Sequence, residues 1–250
     1  MTSEKPRVSV IIPAYNEENY IESTLKSVKD QNYSNLELIV VPNGPCTDKT
    51  AEVAEKFTPF VYDTKQKGIG LAKNIGFEKA NGEIIIFLDA DSQMQDGLID
   101  LITKTVKKHY VGGKTKVIPD DDSFGAKFYF GWVDFCGKLS QLFTIISPDK
   151  NNGAGACIFS TYDLLYFLKR KDGNVFREDI MTMEDVDLIS RIRARGSFKY
   201  LTQKGVITSA RRFWEIDKNG KEKSIYLKRF IMDFVEYSNP AKIDDRRDIR

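Results

Sequence analysis

Two aspartates one residue apart, Asp89 and Asp91, close a run of apolar residues, Ile84-Ile85-Ile86-Phe87-Leu88. The isoleucines of that run mark a strand buried on both faces, as in the interior of a parallel sheet. Two carboxylates at the mouth of such a strand cost solvation and mutual repulsion unless something positive binds them. Mg²⁺ or Mn²⁺ would serve, because these hard cations take one or two carboxylates and complete their shell with substrate phosphates. A second reading fits the same residues equally well: Asp91 or Ser92 as the N-cap of a following helix. The segment by itself supports both.

Four other places carry groups able to do chemistry, each with a plainer alternative. Pro13-Ala14-Tyr15-Asn16-Glu17 puts polar groups at the end of the first strand, or merely caps a helix. Pro42-Asn43-Gly44 ends the second strand, where an amide can read a nucleobase or simply make a turn. Glu184-Asp185-Val186-Asp187 gathers acids at a helix start, where the dipole favours them with or without a catalytic duty. Arg211-Arg212 follows a strand and is able either to clamp a diphosphate or to stay solvated.

The elements that must position these groups alternate through the first half. Strands are predicted at Val8–Ile12, Leu36–Val41, weakly at Phe60–Tyr62, and at the acid-tipped run. Helices are predicted after Asn16 (Ile21, Leu25 and Val28 on one face), after Thr47 or Asp48, and through Gly68–Ala80. Such alternation implies βαβ units and a parallel sheet. The second half is less regular. It reads as a helix at Leu98–Lys108, a strand at Tyr110–Ile118 broken by Gly112-Gly113, and a helix through Phe124–Ile146. A strand at Ala156–Ser160, helices at Tyr162–Lys169 and Glu184–Arg195, a strand at Val206–Ser209 and a closing helix at Ile225–Val235 follow. No repeat or linker interrupts the chain, so a single domain over residues 1–250 is expected, with halves at about 7–120 and 121–237.

Composition excludes several classes. The 250 residues carry 38 basic and 36 acidic groups, a net charge of +2, which argues against a dedicated nucleic-acid binder. Cys46, Cys136 and Cys157 have no metal or redox spacing, and the chain's one histidine, His109, leaves no set for a zinc site or a Ser-His-Asp triad. These cysteines, a polar Met1–Arg7 and the lack of an apolar run near the ~18 residues of a membrane span lead to an expectation of a cytoplasmic protein. Two phosphate-loop look-alikes fail. Gly112-Gly113-Lys114-Thr115 has Lys108 at the earlier glycine position of a Walker loop, and Gly68-Ile69-Gly70 has Lys73 where a dinucleotide fingerprint needs glycine.

Order and spacing add what the single motifs lack. The opening Val8–Glu18, the stretch Gly68-Ile69-Gly70-Leu71-Ala72-Lys73-Asn74-Ile75-Gly76 running into Gly82-Glu83, and Leu88-Asp89-Ala90-Asp91-Ser92 together resemble a family 2 glycosyltransferase. Glu184-Asp185 with Asp187, Arg191 and Gly196, then Thr208–Phe213, resemble the acceptor-side motifs of that family. The resemblance runs from about Val8 to Phe213. It implies an α/β GT-A fold, a Rossmann-like and mostly parallel central sheet flanked by helices, with nucleotide-binding and acceptor-binding halves. It also implies inverting transfer of a hexose from a UDP- or GDP-sugar, assisted by Mn²⁺ or Mg²⁺, to a glycan or lipid-linked acceptor. Carried over by residue, Asp91 would ligate the metal, and Asp89 would hold the metal's water shell or the ribose. Pro13, Tyr15, Glu17 and Asn43 would line the nucleoside pocket, with Lys73, Arg211 and Arg212 toward the diphosphate. Asp185 would be the general base and Glu184 would orient the acceptor.

Two departures matter. Asn43 stands where the family often has a base-reading aspartate, which leaves uracil and guanine both open, and Lys73 stands where arginine is common. The Gln-x-x-Arg-Trp motif of processive synthases is missing, which favours single addition. A polyprenyl-phosphate acceptor and a non-catalytic nucleotide-sugar binder remain the alternatives. In Phe124–Ile146, the apolar positions fit core or acceptor-wall packing, and with Lys127 and Lys138 they also fit peripheral contact with the cytoplasmic face of a membrane.

Overall fold

The computed structural model describes residues 5–142, 155–179, 184–216, 222–226 and 228, with the side chains of 139–142, 212, 215–216 and 222–223 outside that description. The first half forms β1 (Val8–Ala14), α1 (Ile21–Lys29), β2 (Leu36–Pro42), α2 (Thr50–Glu55), α3 (Ile69–Lys79) and β3 (Ile84–Leu88). The second half forms β4 (Ser92–Met94), α4 (Leu98–Val106), β5 (Gly112–Pro119), α5 (Phe124–Leu142), β6 (Cys157–Thr161), α6 (Tyr162–Asp172), α7 (Glu184–Arg193) and β7 (Phe198–Thr208). A 3-10 turn at Arg211–Phe213 leads into a small hairpin of β8 (Trp214–Ile216) and β9 (Glu222–Ser224).

Seven strands make one mixed sheet in the order β2-β1-β3-β6-β5-β7-β4. The β1–β2, β1–β3 and β5–β7 ladders are parallel and pair seven, four and eight residues, whereas the antiparallel β3–β6, β5–β6 and β4–β7 ladders pair five, three and three. Alternation along the strands explains both layers. Val10, Ile12, Ile86 and Leu88 face α1 and α4, whose Ile21, Leu25, Leu98 and Ile102 are fully buried. Ile11, Ile39, Ile85 and Phe87 face α3, α6 and α7 through Ala72, Phe77, Leu165 and Leu188. A strand apolar at every position is what a sheet covered on both faces requires. Because β1 lies between β2 and β3 while α1 and α3 cover opposite faces, the strand order reverses beside β1. Ligands of open α/β sheets bind at such a switch point, outside the carboxyl ends of the strands.

Several expectations change. Ser92 does not start a helix: Ser92–Met94 pairs with Val206–Thr208 as a strand, which removes the helix-cap reading of Asp91. Asn16 caps nothing, since α1 starts at Ile21 and Asn16 sits in the left-handed region at φ +53°. Phe60–Tyr62 supplies a single parallel bridge, Val40 to Val61, instead of a strand. Gly112 and Gly113 lie within β5 instead of breaking it. A Cβ on Gly113 would stand 2.2 Å from the Lys199 carbonyl and 2.4 Å from the Phe159 ring. The strand expected at Val206–Ser209 begins at Phe198, and the closing helix at Ile225–Val235 falls mostly outside the described residues. Among the described residues, no helix is long and apolar enough to cross a membrane.

Candidate functional site

At the switch point, the loops after β1 and β2 are tied to each other. The Asn16 side-chain oxygen Oδ1 accepts the Thr47 N–H at 3.0 Å, and the Thr50 hydroxyl accepts the Glu17 N–H at 2.7 Å. Asn43 donates its backbone N–H to the Ala14 carbonyl at 2.7 Å. Its side-chain oxygen accepts the Gly68 N–H at 2.6 Å, fastening the start of α3. Pro13 is buried and Tyr15 half-buried beside this knot, with the Lys67 ammonium 4.0 Å from the Tyr15 ring centre. Of the residues expected to line the nucleoside pocket, Pro13, Tyr15 and Asn43 lie in these two loops, Pro13 and Asn43 buried, while Glu17 turns its carboxylate to Arg211. Lys67 joins Tyr15 without any motif in the sequence to announce it.

The two aspartates at the end of β3 have different neighbours. Asp91 is buried, its Oδ2 lying 3.2 Å from Nη2 of Arg211 and its Oδ1 3.5 Å from the Thr208 hydroxyl. The same Arg211 nitrogen donates to both Glu17 oxygens, at 2.5 and 2.7 Å, and the guanidinium lies 4.2 Å over the Tyr20 ring. Burial opposes the charge on Arg211, but Glu17 and Asp91 outweigh it and hold the group firmly protonated. Asp89 is half-buried; its backbone N–H donates to the Ala156 carbonyl, and its carboxylate acts on Lys73. Among the described residues, no three histidines, cysteines or acids gather into a complete metal cage. A pair of carboxylates one residue apart instead fits a cation that arrives with phosphate oxygens as its remaining ligands.

Glu184 and Asp185 open α7. Asp185 accepts the N–H of Gly155 at 2.7 Å on Oδ2 and that of Val186 at 2.9 Å on Oδ1. Glu184 is paired at 3.0 Å with the Lys73 ammonium, their side chains only 10% and 4% exposed. Burial would depress Lys73, but Glu184, Asp89 and Asp185 together hold it above the ordinary lysine range. For Asp185, burial and the adjacent Glu184 charge push the carboxyl above its ordinary range against the pull of Lys73 and the two N–H groups. A carboxylate with raised proton affinity suits a general base. Lys114 on β5 also acts on Asp185, and burial brings that ammonium down to about 8. Arg191 pairs with Asp187 at 2.8 Å and reaches the Val175 carbonyl, so both are occupied in holding the end of α6 to α7. Arg212 lies in the 3-10 turn with its side chain outside the described set.

Acids thus stand at the carboxyl end of β3 and at the start of α7, beside the switch point of a mixed α/β sheet. The family model for glycosyl transferase family 2 matches residues 9–160. The chain belongs to that family. Glycosyltransferase AglE of Haloferax volcanii is 41% identical over 151 residues, a match covering 56% of this chain and 49% of AglE. The mannosyltransferase PcManGT of Pyrobaculum calidifontis, solved with GDP-Man and Mn²⁺, superposes with a TM-score of 0.65 at 19% identity, over 99% of this chain and 67% of its own. TarS 1–349 of S. aureus, solved with UDP-GlcNAc, gives a TM-score of 0.61 at 18% identity over 81% of this chain and 58% of its own. At these identities the structures support the fold. The chain spans well under two thirds of the length of curated relatives that it matches.

Proposed function

We propose that the protein is an inverting glycosyltransferase that moves one hexose from a UDP- or GDP-sugar to an acceptor hydroxyl. The observation that carries this reading is the convergence of acids from distant parts of the chain on one lysine: Glu184 pairs with Lys73 at 3.0 Å, and the charges of Asp89 and Asp185 also act on it. In this reading, residues up to about 120 bind the donor and those beyond it bind the acceptor. Pro13, Tyr15 and Asn43 hold the nucleoside, while Glu17 and Arg211 line the diphosphate side. Asp185 takes the proton of the acceptor hydroxyl as its oxygen attacks the anomeric carbon, and the bond from that carbon to the diphosphate oxygen breaks on the opposite face. Asp91, with Asp89, would hold Mn²⁺ or Mg²⁺, whose chemistry is to neutralise charge on the leaving diphosphate. Arg211 adds a fixed positive charge to the same end.

A lipid-linked acceptor is the second reading, favoured by α5. One face of that helix packs Ala126 and Phe130 against Phe213 and Tyr226, whereas Phe124, Phe128, Trp132 and Phe135 stand exposed along the other. An aromatic ridge of this kind suits peripheral contact with a membrane surface. The reading is tested by following UDP or GDP release from a panel of nucleotide sugars with Mn²⁺. Turnover of one donor is expected; no turnover of any donor would leave a nucleotide-sugar binder instead. Substitution Asp185→Asn separates the acceptors, since a phosphate acceptor needs no base and would keep most of its rate.

A further inference from the structure

We propose that Lys73 is a positioning residue of the acceptor side, which through its ion pair with Glu184 seats the start of α7 and sets the charge balance around Asp185. This rests on Asp185 being the base, and it replaces the donor-side role that the family resemblance implies for Lys73. Three features of the geometry support it. The Lys73 ammonium is buried, 3.0 Å from Glu184 and 4.9 Å from the centre of the Phe176 ring. Its neighbour Asn74 grips the segment before α7 from both sides, donating to the Phe176 carbonyl and accepting the Phe176 N–H, each at 2.8 Å. Breaking a buried ion pair leaves an uncompensated buried charge, so the ammonium cannot swing to a diphosphate without stranding Glu184. Glu184, in turn, is committed to the lysine and serves as an anchor more than as an acceptor contact.

The charges facing Asp185 give this role a signature. Glu184 on its own helix is negative, whereas Lys73 from α3 and Lys114 from β5 are positive; Asp89 acts on Lys73, and Arg193 acts on Lys114. Removing the Lys73 charge favours protonation of Asp185, and removing the Glu184 charge disfavours it. A residue that only filled space would shift neither.

The test is the pH profile of kcat for Lys73→Met, Lys73→Arg, Glu184→Gln and the double variant Lys73→Met/Glu184→Gln, with nucleotide affinity measured alongside. The acid limb is expected to move up by on the order of one pH unit in Lys73→Met and down in Glu184→Gln. It should stay near the parent in Lys73→Arg and in the double variant, with nucleotide affinity within about threefold throughout. The double variant removes both buried charges together, so it keeps the test open if Lys73→Met fails to fold. Limbs that do not move, or that move the same way, overturn the proposal. So does a loss of nucleotide affinity of about tenfold or more with kcat kept, which would return Lys73 to the donor. If Asp185→Asn retains the parental kcat, the base assignment itself fails, an outcome distinct from unmoved limbs in an enzyme that Asp185→Asn inactivates.

Discussion

Replacing Arg211 by Met removes one positive charge and keeps the stem over Tyr20. One Arg211 nitrogen lies 2.5 Å from a Glu17 oxygen and 3.2 Å from an Asp91 oxygen, so those two oxygens stand no more than about 6 Å apart. Without the guanidinium, two carboxylates whose side chains are 14% and 3% exposed face each other. At that separation their repulsion is roughly 1–3 kcal/mol, between the water and protein-surface limits. Because a third of the Arg211 side chain is exposed, screening places the net cost at about 1–2 kcal/mol. For a chain of this length that is a fall in Tm of about 2–8 °C. Mn²⁺ should restore more stability to Arg211→Met than to the parent, because a cation bound at Asp91 replaces the missing charge. Thermal unfolding with and without Mn²⁺ is the assay. A variant that melts within about a degree of the parent and responds to Mn²⁺ identically would refute the charge argument.

Asp185→Asn should lower kcat for a hydroxyl acceptor by about 10²–10⁴ while leaving the nucleotide Kd unchanged, as single-turnover assays and calorimetry would report. The rate should also fall as pH drops through the raised Asp185 value, an acid limb above the ordinary carboxylate range. Glu37 provides a stability prediction. Burial opposes its ionisation, but Ser9, Asn81 and Arg7 outweigh that and hold the carboxyl below its ordinary range. A depressed folded value contributes stability above the unfolded value of about 4.3, which is lost as pH falls through the folded one. Glu37→Gln should therefore cost about 1–3 kcal/mol in urea unfolding near neutrality and progressively less in acid. A gap that widened in acid would contradict it. Gly113→Ala should cost about 1–3 kcal/mol or more, because its Cβ meets the Lys199 carbonyl, and the loss would show as a lower urea midpoint.

The first half was legible because its information is local. Val8–Ala14 is apolar but for the buried Ser9, Ile84–Leu88 is apolar throughout, and the acids that follow fall at the carboxyl end by necessity. What failed locally was Ser92–Met94, where Asp91-Ser92 has the composition of a helix cap. Pairing with β7, more than 100 residues later, makes it a strand. Asn16 followed by two glutamates looks the same whether it caps a helix or, as here, turns left-handed and ties to Thr47. The upstream half of β7 was hidden by Lys199, Thr202, Gln203 and Lys204, which stay partly or fully exposed on a strand held by β5. In the site, residue types were readable but partners were not. Lys73 and Glu184 are 111 residues apart, and neither spacing nor composition assigns one to the other. Lys67 over Tyr15 was missed for the same reason.

The central claim is that Asp91 and its neighbours seat a metal-bound nucleotide diphosphate. Calorimetric titration of UDP and of GDP, with and without Mn²⁺, into the parent, Asp91→Asn and Asp185→Asn tests it most directly. One nucleotide should bind the parent and Asp185→Asn with an affinity that Mn²⁺ raises, and Asp91→Asn should lose the Mn²⁺-dependent part. Binding by Asp91→Asn that Mn²⁺ strengthens as it does in the parent, or no binding of either nucleotide by the parent, would contradict the account.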